Sequence, residues 1–140
     1  MSIKLDKLQA SLQAALGEQI QSLKTQFGEI TITVKAEHYL AVATTLRDHA
    51  ELKFEQLIDL CGLDYSDYGN GGYEGLRYAV STHLLSVSKN WRVRLKVFCP
   101  DDDLPMVAAL TPVWNAANWF EREAFDLFGI IFDGHEDLRR

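Results

Sequence analysis

A chain of 140 residues, 47% hydrophobic and 24% charged, is long enough to bury the core of one globular domain without disulfide or metal staples. Fourteen Lys and Arg against 20 Asp and Glu leave a net charge of −6, which argues against nucleic acid and against docking by charge on an anionic lipid surface. Cys61 and Cys99 stand far apart in apolar runs, as buried reduced thiols do, and no run approaches the ~18 apolar residues of a membrane span.

The opening "MSIKLDKLQASLQAALG" lacks the apolar core of a signal peptide, so a cytosol-side location is expected. Leu5, Leu8, Leu12, Leu16, Ile20, Leu23 and Phe27 recur at steps of three and four, which predicts one helical stripe, with Gly17 as a candidate break and Gly28 as its stop. "EITITVK" then alternates: Ile30, Ile32 and Val34 share one face of a half-buried strand, and Thr31, Thr33 and Lys35 the other. Tyr39, Val42, Ala43 and Leu46 mark the inner face of a second helix over residues 38–49.

"FEQLIDLCGLDY" reads as a short helix or buried turn, and "SDYGNGGYEG" as a flexible loop. The β-rich runs "LRYAVSTHLLSV" and "WRVRLKVFC", around a polar "SKN", predict a hairpin. In its second strand Trp91, Val93, Leu95 and Val97 face one way and Arg92, Arg94 and Lys96 the other. "PDDDLP" closes that segment. Thr111 and Pro112 then suit the N-cap and first residue of a last helix, which Gly129 ends. Helix, strand, helix, hairpin and helix, without regular βαβ alternation, predict one α+β domain over residues 1–140: two layers, helices packed on one mixed or antiparallel sheet.

Four groups of residues invite a chemical reading. "GNGGYEG" lacks a glycine at Glu74 for a dinucleotide fingerprint and precedes a strand rather than a helix, so it reads as a plain loop. Arg92, Arg94 and Lys96 suit a solvated sheet face better than a nucleic-acid site, given the acidic balance, and leave an acidic protein partner open. "HEDLR" begins like a zinc motif, but Arg139 stands where the second His is needed. Glu121 and Glu123 would point ~160° apart on a helix and cannot share an ion, so no metal is expected.

The fourth group is the last helix itself. Val113, Trp114, Ala117, Phe120, Ala124, Phe125, Leu127 and Phe128 gather on one face, with Glu121 near its middle. Arg122, Glu123 and Asp126 lie opposite, together with Trp119. A buried carboxylate needs a partner, for which Arg77, Arg92, Arg94 and the terminal arginines are candidates. An exposed Trp beside Arg is the composition of an interface hot spot. The competing reading is a Trp folded beneath a charged tail. A small hydrolase using Glu121 or His135 is the alternative from another class, although no nucleophile with its base accompanies them.

The letters "EREAFDLFGIIFDGHEDLRR" closely resemble the signature of the 30 kDa subunit family of the proton-translocating NADH-quinone oxidoreductase, respiratory complex I. That signature runs E-R-E, two free positions, an acid, two apolar residues, six positions, His, three positions and Arg. Glu121, Arg122, Glu123, Asp126, Leu127, Phe128, His135 and Arg139 fill those places. "LIDLCGLDY", "HLLSVSKNWRVRLKV" and "AANWFERE" resemble family segments in the same order. The resemblance implies a non-catalytic structural subunit of the peripheral arm, which supports electron transfer from NADH to quinone. It binds no cofactor itself, while the complex uses FMN, iron–sulfur clusters, NADH and quinone.

It further implies contacts with the large quinone-site subunit and neighbouring iron–sulfur subunits, on the cytoplasmic side of a bacterial inner membrane reached only through the complex. Trp119, Glu121, Arg122, Glu123, Asp126, His135, Asp137, Arg139 and Arg140 are expected to form or brace the partner surface. Family members commonly continue past the paired arginines, so the chain is expected to hold the globular domain of a longer protein.

Overall fold

The computed structural model describes residues 3–66 and 75–135. Helix α1 (Ile3–Leu16) lays Leu8, Leu12 and Leu16 on the core. The predicted helical stripe ends there: a 3-10 turn at Gly17–Gln19 leads into strand β1 (Ile20–Gln26). A β-bulge between Ile20 and Ser22 explains the misreading. Ile20 pairs with Val34 and Leu23 with Ile32, so two side chains three residues apart share one face of a strand. Phe27 and Gly28, both at positive φ (53° and 76°), form the two-residue turn to β2 (Glu29–Val34). Gly28 therefore closes a hairpin and not a helix.

Ile30, Ile32 and Val34 are buried as the alternation predicts. Helix α2 (Ala36–Asp48) buries Tyr39, Val42, Ala43 and Leu46 completely. The segment read as a short helix or turn is a nine-residue strand, β3 (Gln56–Asp64). A second bulge, between Leu57 and Asp59, puts Leu57 and Leu60 on one face and again imitates a helical step. The predicted hairpin is β4 (Tyr78–Ser86) and β5 (Trp91–Phe98), joined through residues 87–90 with Asn90 at φ 56°. The glycine-rich loop falls largely at residues 67–74, outside the described residues. Two short strands, β6 (Met106–Ala108) and β7 (Ile131–Asp133), flank helix α3 (Ala117–Phe128) and pair in parallel.

The main sheet has the order β1-β2-β5-β4-β3, with β2 parallel to β5 and the other pairs antiparallel. Register assembles the core in rows across the strands: Ile30–Val93–Leu84–Leu57, Ile32–Leu95–Thr82–Leu60 and Val34–Val97–Val80–Gly62. All three helices lie on this face, α1 and α2 over β2 and α3 over β3. Each completely buried Leu or Ile contributes about 2 kcal/mol, and the rows hold six Leu or Ile residues at 7% exposure or less. The molecule is the expected two-layer α+β domain, with helices on one mixed sheet. Cys99 is buried, but Cys61 is exposed, because the β3 alternation turns it to the uncovered face; both are free thiols.

Candidate partner-docking site on the last helix

The chain is pinned before α3 begins. The Ala109 N–H donates to the Asp133 carbonyl (2.8 Å), joining β6 to β7. Trp114 donates its indole N–H to the Phe54 carbonyl at 2.9 Å, and Arg47 at the end of α2 donates to the Val113 carbonyl at 3.0 Å. A helix starting at Pro112 would offer that Val113 carbonyl to residue 117. Arg47 takes it instead, residues 111–116 form turns, and α3 starts at Ala117 without a side-chain cap. The Thr111-Pro112 cap is thus corrected to a pinned turn. Gly129 ends the helix as predicted, in the left-handed conformation (φ 73°), with its N–H on the Phe125 carbonyl at 2.8 Å.

Ala117, Glu121 and Ala124 are the buried residues of α3, and Phe120 and Phe128 pack against the core beside them. A Cβ on Gly62 would come within 2.7 Å of the Phe128 ring. The glycine in β3 is therefore what lets α3 approach the sheet this closely. On the far side Trp119 is 65% and Leu127 70% exposed, with Glu123 and Asp126 exposed between them. Positions 119, 123, 126 and 127 follow the i, i+4, i+7, i+8 rule of one stripe. The pattern expects Leu127 on the buried face; the twelve-residue helix instead rotates it about 120° from Glu121, to the rim of the Trp119 stripe. Arg122 is half-buried.

Glu121 is completely buried, as the pattern implies, yet no arginine meets it among the described residues. Arg92 and Arg94 lie on the opposite face of the sheet, and Arg77 is bonded to Asp64 at 2.8 Å. The terminal arginines Arg139 and Arg140, with Asp137, lie outside the described residues. The partner is a backbone group: the Leu110 N–H donates to Oε2 at 2.7 Å, while Oε1 has none among the described residues. Burial pushes the carboxyl pKa up to about 7, against the opposing pull of the Leu110 hydrogen bond. Burial also raises the pKa of the Tyr39 hydroxyl, 3.5 Å from Thr82 Oγ1, and the charge of Glu121 adds to that rise.

His135 returns the chain to α3. Its ring Nε2 lies 3.1 Å from the Asn118 carbonyl, so Nε2 carries the proton and donates to the first turn of the helix. The fold thus brings Glu121, Arg122, Glu123, Asp126 and His135 together around α3. The hydrolase reading finds no support in this arrangement, since among the described residues Glu121 meets a backbone N–H from a buried position and His135 Nε2 is engaged. Among the described residues no group of three or more His, Cys, Asp or Glu could hold a metal ion. Sequence reasoning placed Trp114 on the apolar face but missed its bond to Phe54, and it missed Arg47, Gly62 and the Leu110 amide. Of these only Trp114, an aromatic with a polar handle in an apolar run, carried a legible signal.

The sequence profile of the respiratory-chain NADH dehydrogenase 30 kDa subunit matches residues 32–140. The C subunit of the NADH-quinone oxidoreductase of Leptothrix cholodnii is 64% identical over 140 residues, all of this chain and 70% of that protein. Its counterpart in Burkholderia multivorans is 62% identical over the same shares. Among solved structures, a trypsin-resistant fragment of Nqo5 superposes with a TM-score of 0.76 at 28% identity, over 94% of this chain and 99% of the fragment. A chain of the membrane-bound sulfane sulfur reductase, an archaeal respiratory membrane complex, has the same fold at TM-score 0.76 and 18% identity, over 95% of this chain and 72% of its own. The chain belongs to the 30 kDa subunit family of respiratory-chain NADH dehydrogenase, the NADH-quinone oxidoreductase of respiratory complex I.

Proposed function

We propose that this chain is a non-catalytic structural subunit of the peripheral arm of NADH-quinone oxidoreductase, and that the outer face of α3 is its grip on the complex. The observation that carries this reading is the Trp119–Leu127 stripe. Two large apolar side chains stand 65% and 70% exposed on a helix whose other face is locked to the core. Exposed singly, such residues are unremarkable; paired on one stripe and flanked by Glu123 and Asp126, they have the make-up of an apolar anchor within a polar rim. Glu123, Asp126 and Leu127 of the stripe fall inside the family signature, Trp119 stands two residues before it, and the signature's buried member, Glu121, braces the same helix from beneath.

In this reading the large quinone-site subunit and the neighbouring iron–sulfur subunits receive the helix, on the cytoplasmic side of the membrane. The chain itself holds none of the complex's FMN, iron–sulfur clusters, NADH or quinone. It supports electron transfer to quinone by keeping neighbouring subunits in register. Among the described residues no helix is long and apolar enough to cross a membrane, and in this reading membrane association runs through the complex. The test is co-purification: the tagged full-length protein, taken from membranes in mild detergent, is expected to recover the flavin and iron–sulfur subunits. Recovery of the folded protein alone would overturn the proposal.

A further inference from the structure

The five-stranded sheet has a second face, which no helix covers among the described residues. Register lines its side chains up in rows. Lys24, Thr31, Arg94, His83 and Asp59 form one row from β1 to β3, and Ser22, Thr33, Lys96, Ser81 and Cys61 the next. Arg92, Arg94 and Lys96 make a column down the central strand. Alternate residues of a strand stand about 7 Å apart, close enough for like charges to repel. Among the described residues Arg94 is the one of the three with hydrogen-bond partners: it donates from Nη2 to Glu29 Oε2 (3.3 Å) and from Nε to His83 Nε2 (2.9 Å). The proton on that ring therefore sits at Nδ1, 2.7 Å from Asp59 Oδ1, so Asp59 is occupied by His83.

Among the described residues, no carboxylate lies within salt-bridge distance of Lys24, Arg92 or Lys96. Lys96 instead stands over the rings of Tyr65 and Phe98, 4.7 and 5.2 Å from their centroids. Among the described residues, four cations (Lys24, Arg92, Arg94, Lys96) against two carboxylates (Glu29, Asp59) give this face a formal charge of +2, in a chain of −6. Between Lys24 and Lys96 lies a groove of about 330 Å³, lined also by Ser22, Thr31 and Thr33. Lys, Ser and Thr side chains all carry hydrogen-bond donors, and donors of these kinds receive carboxylates. The net negative charge of the rest of the chain disfavours a polyanion as large as nucleic acid.

We propose that this open sheet face is a second docking surface, whose Lys24–Lys96 groove and Arg92 take an acidic segment of a neighbouring protein chain of the same assembly. The inference rests on the reading of this chain as a structural subunit, and extends it. Docked by α3 on one layer and by the sheet on the other, the domain would be held between two neighbours. Electrostatic complementarity of this kind acts chiefly on partner choice and rate of encounter.

The test uses the full-length protein, both free and in the complex purified through its tag. Zero-length carbodiimide coupling joins Lys to Asp or Glu only where they touch, and acetylation reports how open each Lys is. The expected result is Lys24 and Lys96 linked to acidic residues of another subunit, with acetylation at least fivefold lower in the complex than in the free chain. Co-purified subunits with both lysines equally acetylated and unlinked would overturn the sheet surface alone, leaving the α3 reading intact. Links only to carboxylates of the same chain, or protection removed by nuclease, would overturn it too. A chain that recovers no subunit would overturn both readings.

Discussion

At the scale of single residues, Glu121 carries the most consequential chemistry of the fold. Its carboxyl group is sealed, bonded through one oxygen to the Leu110 N–H and, among the described residues, through the other to nothing. Burial raises its pKa from 4.5 to about 7. A carboxyl pKa raised on folding means that the native state binds the proton more tightly than the unfolded chain. Its contribution to stability is then complete below pH 4.5 and declines as pH rises through 7. The full span is about 3 kcal/mol, at 1.4 kcal/mol per pKa unit. Glu121→Gln keeps an acceptor for Leu110 and removes the titration. Urea melts from about pH 4.5 to about pH 8.5 should show the native protein losing stability relative to this variant as pH rises. Parallel curves would contradict it. Trp114→Phe removes the donor from the buried Phe54 carbonyl and should cost about 1–3 kcal/mol in the same melts; a loss below ~0.5 kcal/mol would show that this tie does not hold the turn.

At the scale of elements, Gly62 sets the distance between α3 and the sheet. Gly62→Ala drives a methyl group against the Phe128 ring and, at 3.1 Å, against Ile130. Overpacking of this kind costs about 1–3 kcal/mol. Thermal melts should show it, and an unchanged midpoint would mean that α3 rides free of β3. The same scale shows what the sequence made legible. The alternation in "EITITVK" and in "WRVRLKVFC" predicts strands because each face there keeps one polarity, and Tyr39, Val42, Ala43 and Leu46 mark α2 because their step fits the helical period. β1 and β3 were illegible for one shared reason. A bulge in each inserts a residue, so Ile20 with Leu23, and Leu57 with Leu60, face the core three positions apart. A strand with that spacing is written like a helix. At the site, the burial of Glu121 and the exposure of Trp119 were legible from the helical wheel. The partner of Glu121 was not, because a main-chain N–H leaves no letter in the sequence.

At the scale of the whole molecule, the two layers divide the work. The helix layer buries its apolar rows against the sheet and presents Trp119 and Leu127 outward, while the sheet layer presents the basic column of β5. A surface built for a partner contributes little to the fold that displays it. Trp119→Ala with Leu127→Ala should therefore change the stability of the free protein by less than ~0.5 kcal/mol, the usual range for exposed positions. A larger loss in urea melts would show that the stripe packs within the chain. The most direct measurement is competition for a place in the complex. The native full-length protein and the double variant, carrying different tags, are expressed together at equal levels, and their ratio in the assembled complex is read by mass spectrometry. The docking role of α3 predicts at least a tenfold excess of the native chain in the complex, with equal amounts in the unassembled pool. Equal incorporation of the two would contradict it.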